Sequence, residues 1–213
     1  MKISKSFILA FLSTSIFVAC GTNTTSTEEN SGEATAMESC SYTYMADSTS
    51  LKWTAYKFTK KIGVSGTFDS ITVTNTKSAE SPMEVLLGAD FSISTASVNS
   101  GNPERDPKVV AFFFNKLAGT ETITGKINSI NDGEAVVSIT LNERTVDVVG
   151  KVSLEEDRVT LEVSIDITDF EGLDAIASLN EVCSAQHTDE DGESKLWPEV
   201  DIMVSTVLKK ECK

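Results

Sequence analysis

Histidine occurs once in the 213 residues, as His187, and cysteine only at Cys20, Cys40, Cys183 and Cys212. Neither G-x-S-x-G nor H-E-x-x-H is present, so nothing recruits His187 into a nucleophile–base pair or a catalytic zinc site. It reads as a solvated loop histidine, and the expectation is that the protein is not an enzyme. The cysteines lack the paired spacing of a structural zinc site. Asp189, Asp191 and Glu193 alternate after His187 and supply the hard oxygens that calcium favours. The twelve-residue calcium pattern is missing, however, so a solvated acidic loop with no metal is expected. Basic residues are also scarce, 18 against 32 acidic ones, for a formal net charge of −14. That balance disfavours nucleic acid and anionic head-group surfaces as partners. Beyond the first twenty residues there is no apolar run long enough to span a bilayer, and no repeat of fixed period.

What the chain does have begins at its start. Lys2 and Lys5 precede the apolar stretch Phe7 to Val18, which is followed by Ala19 and Cys20. A positive start, a short apolar middle and a small residue before the processing point are the parts of a secretory signal. Phe17-Val18-Ala19-Cys20 resembles the bacterial lipobox, in which the cysteine is acylated and becomes the first residue. Residues 1–19 are then a signal peptide, and Cys20 is the lipidation site. The alternative is an ordinary signal with a cysteine nearby by chance. Loss of the two lysines takes the charge to −16. Gly21 to Glu38 is polar and small, a composition that cannot order itself, so residues 20–39 read as a flexible stalk. Such a stalk keeps the domain within about 25 Å of the bilayer. No aspartate follows Cys20, which leans towards anchoring in the outer membrane of a bacterial envelope, facing the periplasm.

Residues 40–213 make one domain. Val, Ile, Thr and Phe alternate with polar residues over 41–45, 51–59, 66–75, 89–98, 121–130, 134–141, 145–154, 158–168 and 200–208. Asn131-Asp132-Gly133, Asn142-Glu143-Arg144 and Glu155-Glu156-Asp157 supply hairpin turns between successive runs. Short strands joined by tight turns form an antiparallel meander. About eight of them lose their exposed edges best by closing into an up-and-down barrel. Two helices interrupt it. One is capped by Asp106-Pro107, carries Val109, Val110, Phe113, Phe114 and Leu117, and exits near Gly119; the other runs from Gly172 to Val182 with Leu173, Ile176 and Leu179 as its stripe. An even strand count brings the start of the first strand and the end of the last to the same rim. Cys40–Cys212 is therefore the favoured disulfide in an oxidising compartment, with the other pairings of Cys40, Cys183 and Cys212 still open.

Trp53-Thr54-Ala55-Tyr56-Lys57-Phe58 followed by Val64-Ser65-Gly66-Thr67-Phe68 resembles the opening strands of the YceI family. Ala96 to Gly101 with Arg105-Asp106 and Phe112-Phe113-Phe114 is similar to that family's strand, loop and helix entry. Ile139 to Thr145 resembles its mid-domain hairpin, with Glu143 where a glycine is usual. The resemblance spans residues 41–209. It implies a lipocalin-like barrel that binds a polyisoprenoid or similar amphiphile in a bacterial envelope. The histidine common after the Arg-Asp pair is absent, since Pro107-Lys108 follows Asp106. Arg105 and Lys108 remain able to meet a phosphate or carbonyl oxygen; the competing reading has Arg105 paired with an acid and Asp106 capping the helix.

Trp53, Phe58, Phe68, Phe91, Ile93, Phe113 and Phe114 are the large apolar candidates for the barrel interior or its lid, and with Arg105 they form the expected ligand-binding set. The chain thus reads as a lipid-anchored carrier or store for a long-chain amphiphile, with a bound lipid in place of a cofactor, present as a monomer or homodimer. The alternative is a structural lipoprotein that binds an envelope partner through its outer surface.

Overall fold

The computed structural model describes residues 39–213. The expected signal peptide, the expected lipidation site Cys20 and the expected stalk up to residue 38 lie outside the described residues. Eleven strands follow one another: β1 Cys40–Tyr44, β2 Ser50–Lys57, β3 Ile62–Phe68, β4 Ile71–Thr74, β5 Asp90–Ser94, β6 Val98–Asn99, β7 Thr122–Asn131, β8 Glu134–Leu141, β9 Arg144–Glu155, β10 Arg158–Asp166 and β11 Leu196–Cys212. Four helices accompany them: α1 Pro82–Leu86, α2 Asp106–Phe112, α3 Leu173–Val182 and α4 Ser184–His187. Among the described residues no helix is long and apolar enough to cross a membrane.

All strand pairs are antiparallel, in the order β4-β5-β7-β8-β9-β10-β11-β2-β3-β6, with β1 added on β11. The eleven strands are eight staves, three of them interrupted. β1 and β2 run in succession along the seventeen-residue β11. β3 pairs with β6 while its continuation β4 pairs with β5. Across those two breaks the bonding continues from Asp69 N to Ser97 O at 2.9 Å and from Ser94 N to Ser70 O at 3.1 Å. The meander is therefore closed, as an all-β barrel of eight staves.

The two runs expected as single strands, 66–75 and 89–98, are each broken where a serine turns the chain. Ser97 Oγ donates to Ser94 O at 2.7 Å and accepts from Ser70 N at 3.0 Å, so it serves both sides of the corner. β3 also starts at Ile62, earlier than expected, and β11 extends at both ends. The period-2 pattern is clearest in β8, where Ala135, Val137, Ile139 and Leu141 are buried and point inward.

The helices differ in detail from expectation. α2 stops at Phe112, and a tight turn carries Phe114 to Lys116. Asp106 does not cap it. Its Oδ1 accepts from Ser100 N at 2.9 Å and Ser100 Oγ at 2.5 Å, while Asn102 Oδ1 takes the amides of Glu104 and Arg105. In α3 the buried residue is Ala175 and Leu173 is 57% exposed, so the stripe is narrower than its three leucine and isoleucine positions suggested. α1, with Pro82 in its first turn and Val85 wholly buried, is an element that the apolar spacing did not announce.

The β8–β9 hairpin turns on Asn142 (φ 53°) and Glu143 (φ 56°), the left-handed pair of a two-residue turn. Asn142 earns its place: its Oδ1 accepts from Ala118 N at 2.7 Å and its Nδ2 donates to Phe170 O at 2.8 Å, which ties the chain after α2 and before α3 to the turn. Glu143 has no such bond, and a left-handed non-glycine residue costs about 1 kcal/mol. Glu143→Gly is accordingly expected to raise stability by about 1 kcal/mol, read as a higher urea midpoint at unchanged slope.

Candidate functional site

The barrel encloses a cavity of about 270 Å3, near the low end of the about 300–1,000 Å3 usual for small-molecule sites. Trp53, Phe68, Phe91, Ile93, Phe113 and Phe114 all stand in its wall. Phe68 and Phe114 meet at 6.0 Å between centroids with their planes tilted by 57°, and Phe113 meets Phe114 edge-on at 5.1 Å. Two other rings lie flat on the wall instead of filling the lumen. Trp53 pairs across the ladder with Gly66, and Phe91 with Gly125. A β-carbon on Gly66 would fall 2.3 Å from the Trp53 ring, and one on Gly125 2.2 Å from the Phe91 ring. Glycine in a strand marks such a close approach, and here it leaves the rings room to lie back. Trp53 is fixed in that pose by Nε1 donating to Thr67 O at 3.1 Å.

One end of the cavity is covered by Val109 of α2 and Phe113 just after it, by α3 through Ile176 and Leu179, and by Leu196 and Trp197 at the start of β11. At the other end its wall includes three hydroxyl residues, Tyr44, Thr49 and Thr206. Tyr44 Oη bonds Thr49 Oγ1 at 2.8 Å, and Thr49 Oγ1 donates to Thr206 Oγ1 at 3.0 Å, so these groups satisfy one another. Ile176 and Leu179 were legible from the α3 stripe; Trp197 and the hydroxyl end were not. Between the two ends the wall is aliphatic and aromatic, chemistry that desolvates an apolar chain and offers little else.

Phe58 and Arg105, expected at the ligand, are not in the cavity wall. Alternation in β2 sends Leu51, Trp53 and Ala55 inward, and Phe58 follows the last strand residue in a left-handed conformation (φ 63°). Its ring lies 4.4 Å from Lys57 Nζ, its N donates to Lys195 O at 3.0 Å, and its O accepts from Trp197 Nε1 at 2.7 Å. Phe58 thus anchors the β2–β3 turn. Arg105 is half-buried just before α2, and among the described residues no ion pair involves it. Lys108 is exposed.

His187 is half-buried, in contrast to the solvated loop residue expected. Burial, with the charges of Lys57 and Arg105 adding to it, pushes its pKa down to about 4, so it is neutral at physiological pH. Its Nδ1 lies 3.0 Å from Asn180 Oδ1. The acidic loop is likewise engaged: Asp189 Oδ2 lies 3.0 Å from Lys60 Nζ, and Asp191 accepts from Thr59 Oγ1. Hydrogen bonds from Lys60 and from Thr59 hold these two carboxyls below their usual range. Among the described residues no group of three His, Cys, Asp or Glu side chains is placed to hold a metal.

Cys40 and Cys212 are joined by a disulfide, at the first rung of the β1–β11 ladder. Cys183, next to α4, is a buried free thiol.

The solved structures that resemble this chain include a polyisoprenoid binding domain from Saccharophagus degradans implicated in plant cell wall breakdown. It is 15% identical with a TM-score of 0.55, over 82% of this chain and 99% of that one. Burkholderia cenocepacia BcnA is 14% identical over 76% of this chain and 96% of its own, with a TM-score of 0.48. The Campylobacter jejuni YCEI protein is 16% identical over 74% and 89%, with a TM-score of 0.45. No curated protein matches the chain. At these identities the likeness to the first structure speaks for the fold alone. The family model of the YceI-like domain matches residues 42–208, which is most of the described barrel, and this chain belongs to the YceI-like domain family.

Proposed function

We propose that this protein is a bacterial envelope lipoprotein whose barrel binds and carries, or stores, a polyisoprenoid or similar long-chain amphiphile. The observation that carries the reading is the enclosed apolar cavity, kept open by rings that lie on glycines of the neighbouring strand. A side-chain core at ordinary density would have no such space. Support also comes from the S. degradans domain, which shares the fold and is described as binding polyisoprenoid.

Energetics fit a carrier. Each methylene moved from water into the cavity gains about 0.8 kcal/mol, but a lipid that leaves a bilayer gives up nearly the same amount. Net affinity relative to membrane is then small, and exchange is fast. Lys57, Arg105 and neutral His187 gather at the helix-covered end, where the two cations are suited to a phosphate or carboxylate head group. Acylated Cys20 and the stalk hold the cavity beside its lipid source, and the reaction is transfer without chemistry at the ligand.

Native mass spectrometry of gently purified protein, followed by organic extraction, tests the reading. A co-purifying long-chain lipid near one per protein is expected. Protein that yields no lipid and takes up no long-chain probe would leave the barrel as a scaffold for an outer-surface partner.

A further inference from the structure

The turn between β2 and β3 is basic, and the loop between α4 and β11 is acidic. The two meet at the helix-covered end of the barrel. Lys60 Nζ lies 3.0 Å from Asp189 and 3.5 Å from Glu190. Thr59 Oγ1 donates to Asp191, and Lys57 Nζ donates to Gln186 O at 2.8 Å. Lys60 is 59% exposed at its side chain, so water and salt reach the contact.

Just inside this contact the barrel ladder is broken. β11 pairs with β2 at Leu196–Lys57 and again from Val200–Ala55, with a register shift between. Trp197 sits within that break and lines the cavity, as do Leu196 beside it and Leu179 of α3. The segment from α3 to Leu196 is therefore at once a cover of the cavity and the partner of the basic turn. Parting β10 from β11 would instead undo nine successive paired positions. Displacing the covering segment uncovers the buried Ala175 and Cys183 and breaks the Phe58 N–Lys195 O bond and the Leu196–Lys57 rung. It leaves the β2–β11 ladder paired from Val200 onward, and segments tied by few backbone bonds are the ones that open locally.

We propose that residues 173–196 form a gate over the cavity, latched to the β2–β3 turn by Lys60–Asp189 and Thr59–Asp191, and that release of this latch is the step that admits and discharges the ligand. The proposal rests on the cavity's being a lipid site. Exposed ion pairs contribute little individually, which suits a latch that must open often. Because Glu190 and Asp191 flank Asp189, reversing Lys60 turns an attraction into a repulsion among four acids.

The test is stopped-flow transfer of a fluorescent polyene C18 fatty acid from the protein to phosphatidylcholine vesicles. For the unaltered protein, transfer is expected to speed up as salt rises from about 20 mM to about 500 mM, since screening weakens the latch. Lys60→Glu is expected to transfer about fivefold faster at low salt and to slow as salt rises, the opposite sign. Lys60→Glu combined with Asp189→Lys is expected to return towards the original rate. Circular dichroism of each variant checks that the barrel is intact. Equal rates and equal salt dependence for all three proteins would overturn the gate while leaving the lipid site standing. No uptake of the probe by the unaltered protein would overturn both.

Discussion

Ile93→Trp is expected to weaken binding of a long-chain probe by about 100-fold, while Ser92→Trp, one residue earlier, changes it less than threefold. Ile93 is buried in the cavity wall, and Ser92 lies on the opposite face of β5. An indole at position 93 has nowhere to go but the lumen. Displacing about three or four methylenes of ligand forfeits about 3 kcal/mol, which corresponds to about 100-fold in affinity. The same indole at 92 stands on the outer surface between Thr72 and Thr124 of the neighbouring strands. Overpacking at 93 costs about 1–3 kcal/mol of stability, so both variants are compared by fluorescence titration well below their melting temperatures. Equal losses at both positions would mean that the probe binds outside the barrel, and the carrier reading would fall.

Removal of the disulfide is expected to have the largest effect on stability. Cys40 and Cys212 are 172 residues apart in sequence, so the bond closes almost the whole described chain into one loop. The chain-entropy relation gives about 5 kcal/mol for a loop of that length. The double variant Cys40→Ser, Cys212→Ser should therefore melt about 10–20 °C lower. Probe affinity at low temperature should change little, because β2 pairs with β11 up to Ser205, before β1 takes over at Leu208. A melting temperature within about 2 °C of the original would show that β1 frays free of the barrel and that the bond constrains only the ends. Scanning calorimetry under non-reducing conditions distinguishes these outcomes.

The gross fold was legible because its signals are local. Alternation along β8 and β10 and the turn residues at 131–133, 142–143 and 155–157 depend only on neighbours in sequence, and each stands where the periodicity put it. The breaks within the long runs were less legible. Ser97 turns the chain by bonding Ser94 and Ser70 at once, and the second of these is a contact between strands. Asp106 was misjudged for the same reason. Its position before Pro107 suits a cap, but Ser100 competes for the carboxylate and Asn102 takes over the amides. The acidic loop is exposed from Glu190 to Glu193, as its composition suggests. Its partners Thr59 and Lys60 were not legible, because they come from the turn after the neighbouring strand β2, far away in sequence.

Six of the eight residues expected at the ligand stand in the cavity wall, since inward parity in a strand and large apolar size are both written in sequence. Phe58 fails because strand parity ends at Lys57, a boundary set by the turn's bonds to Lys195 and Trp197. Arg105 stands beside the covered end, outside the wall.

The sequence by itself determined an acidic, strand-rich domain that closes on itself. Composition and periodicity carry that much, because they measure how much surface each segment must bury and on which side. Whether the interior would be packed solid or hold a cavity was decided only in the tertiary structure. The count of apolar residues is the same either way. The difference lies in where rings can lie back, and that depends on Gly66 opposite Trp53 and Gly125 opposite Phe91, pairs that exist only once the register between strands is set.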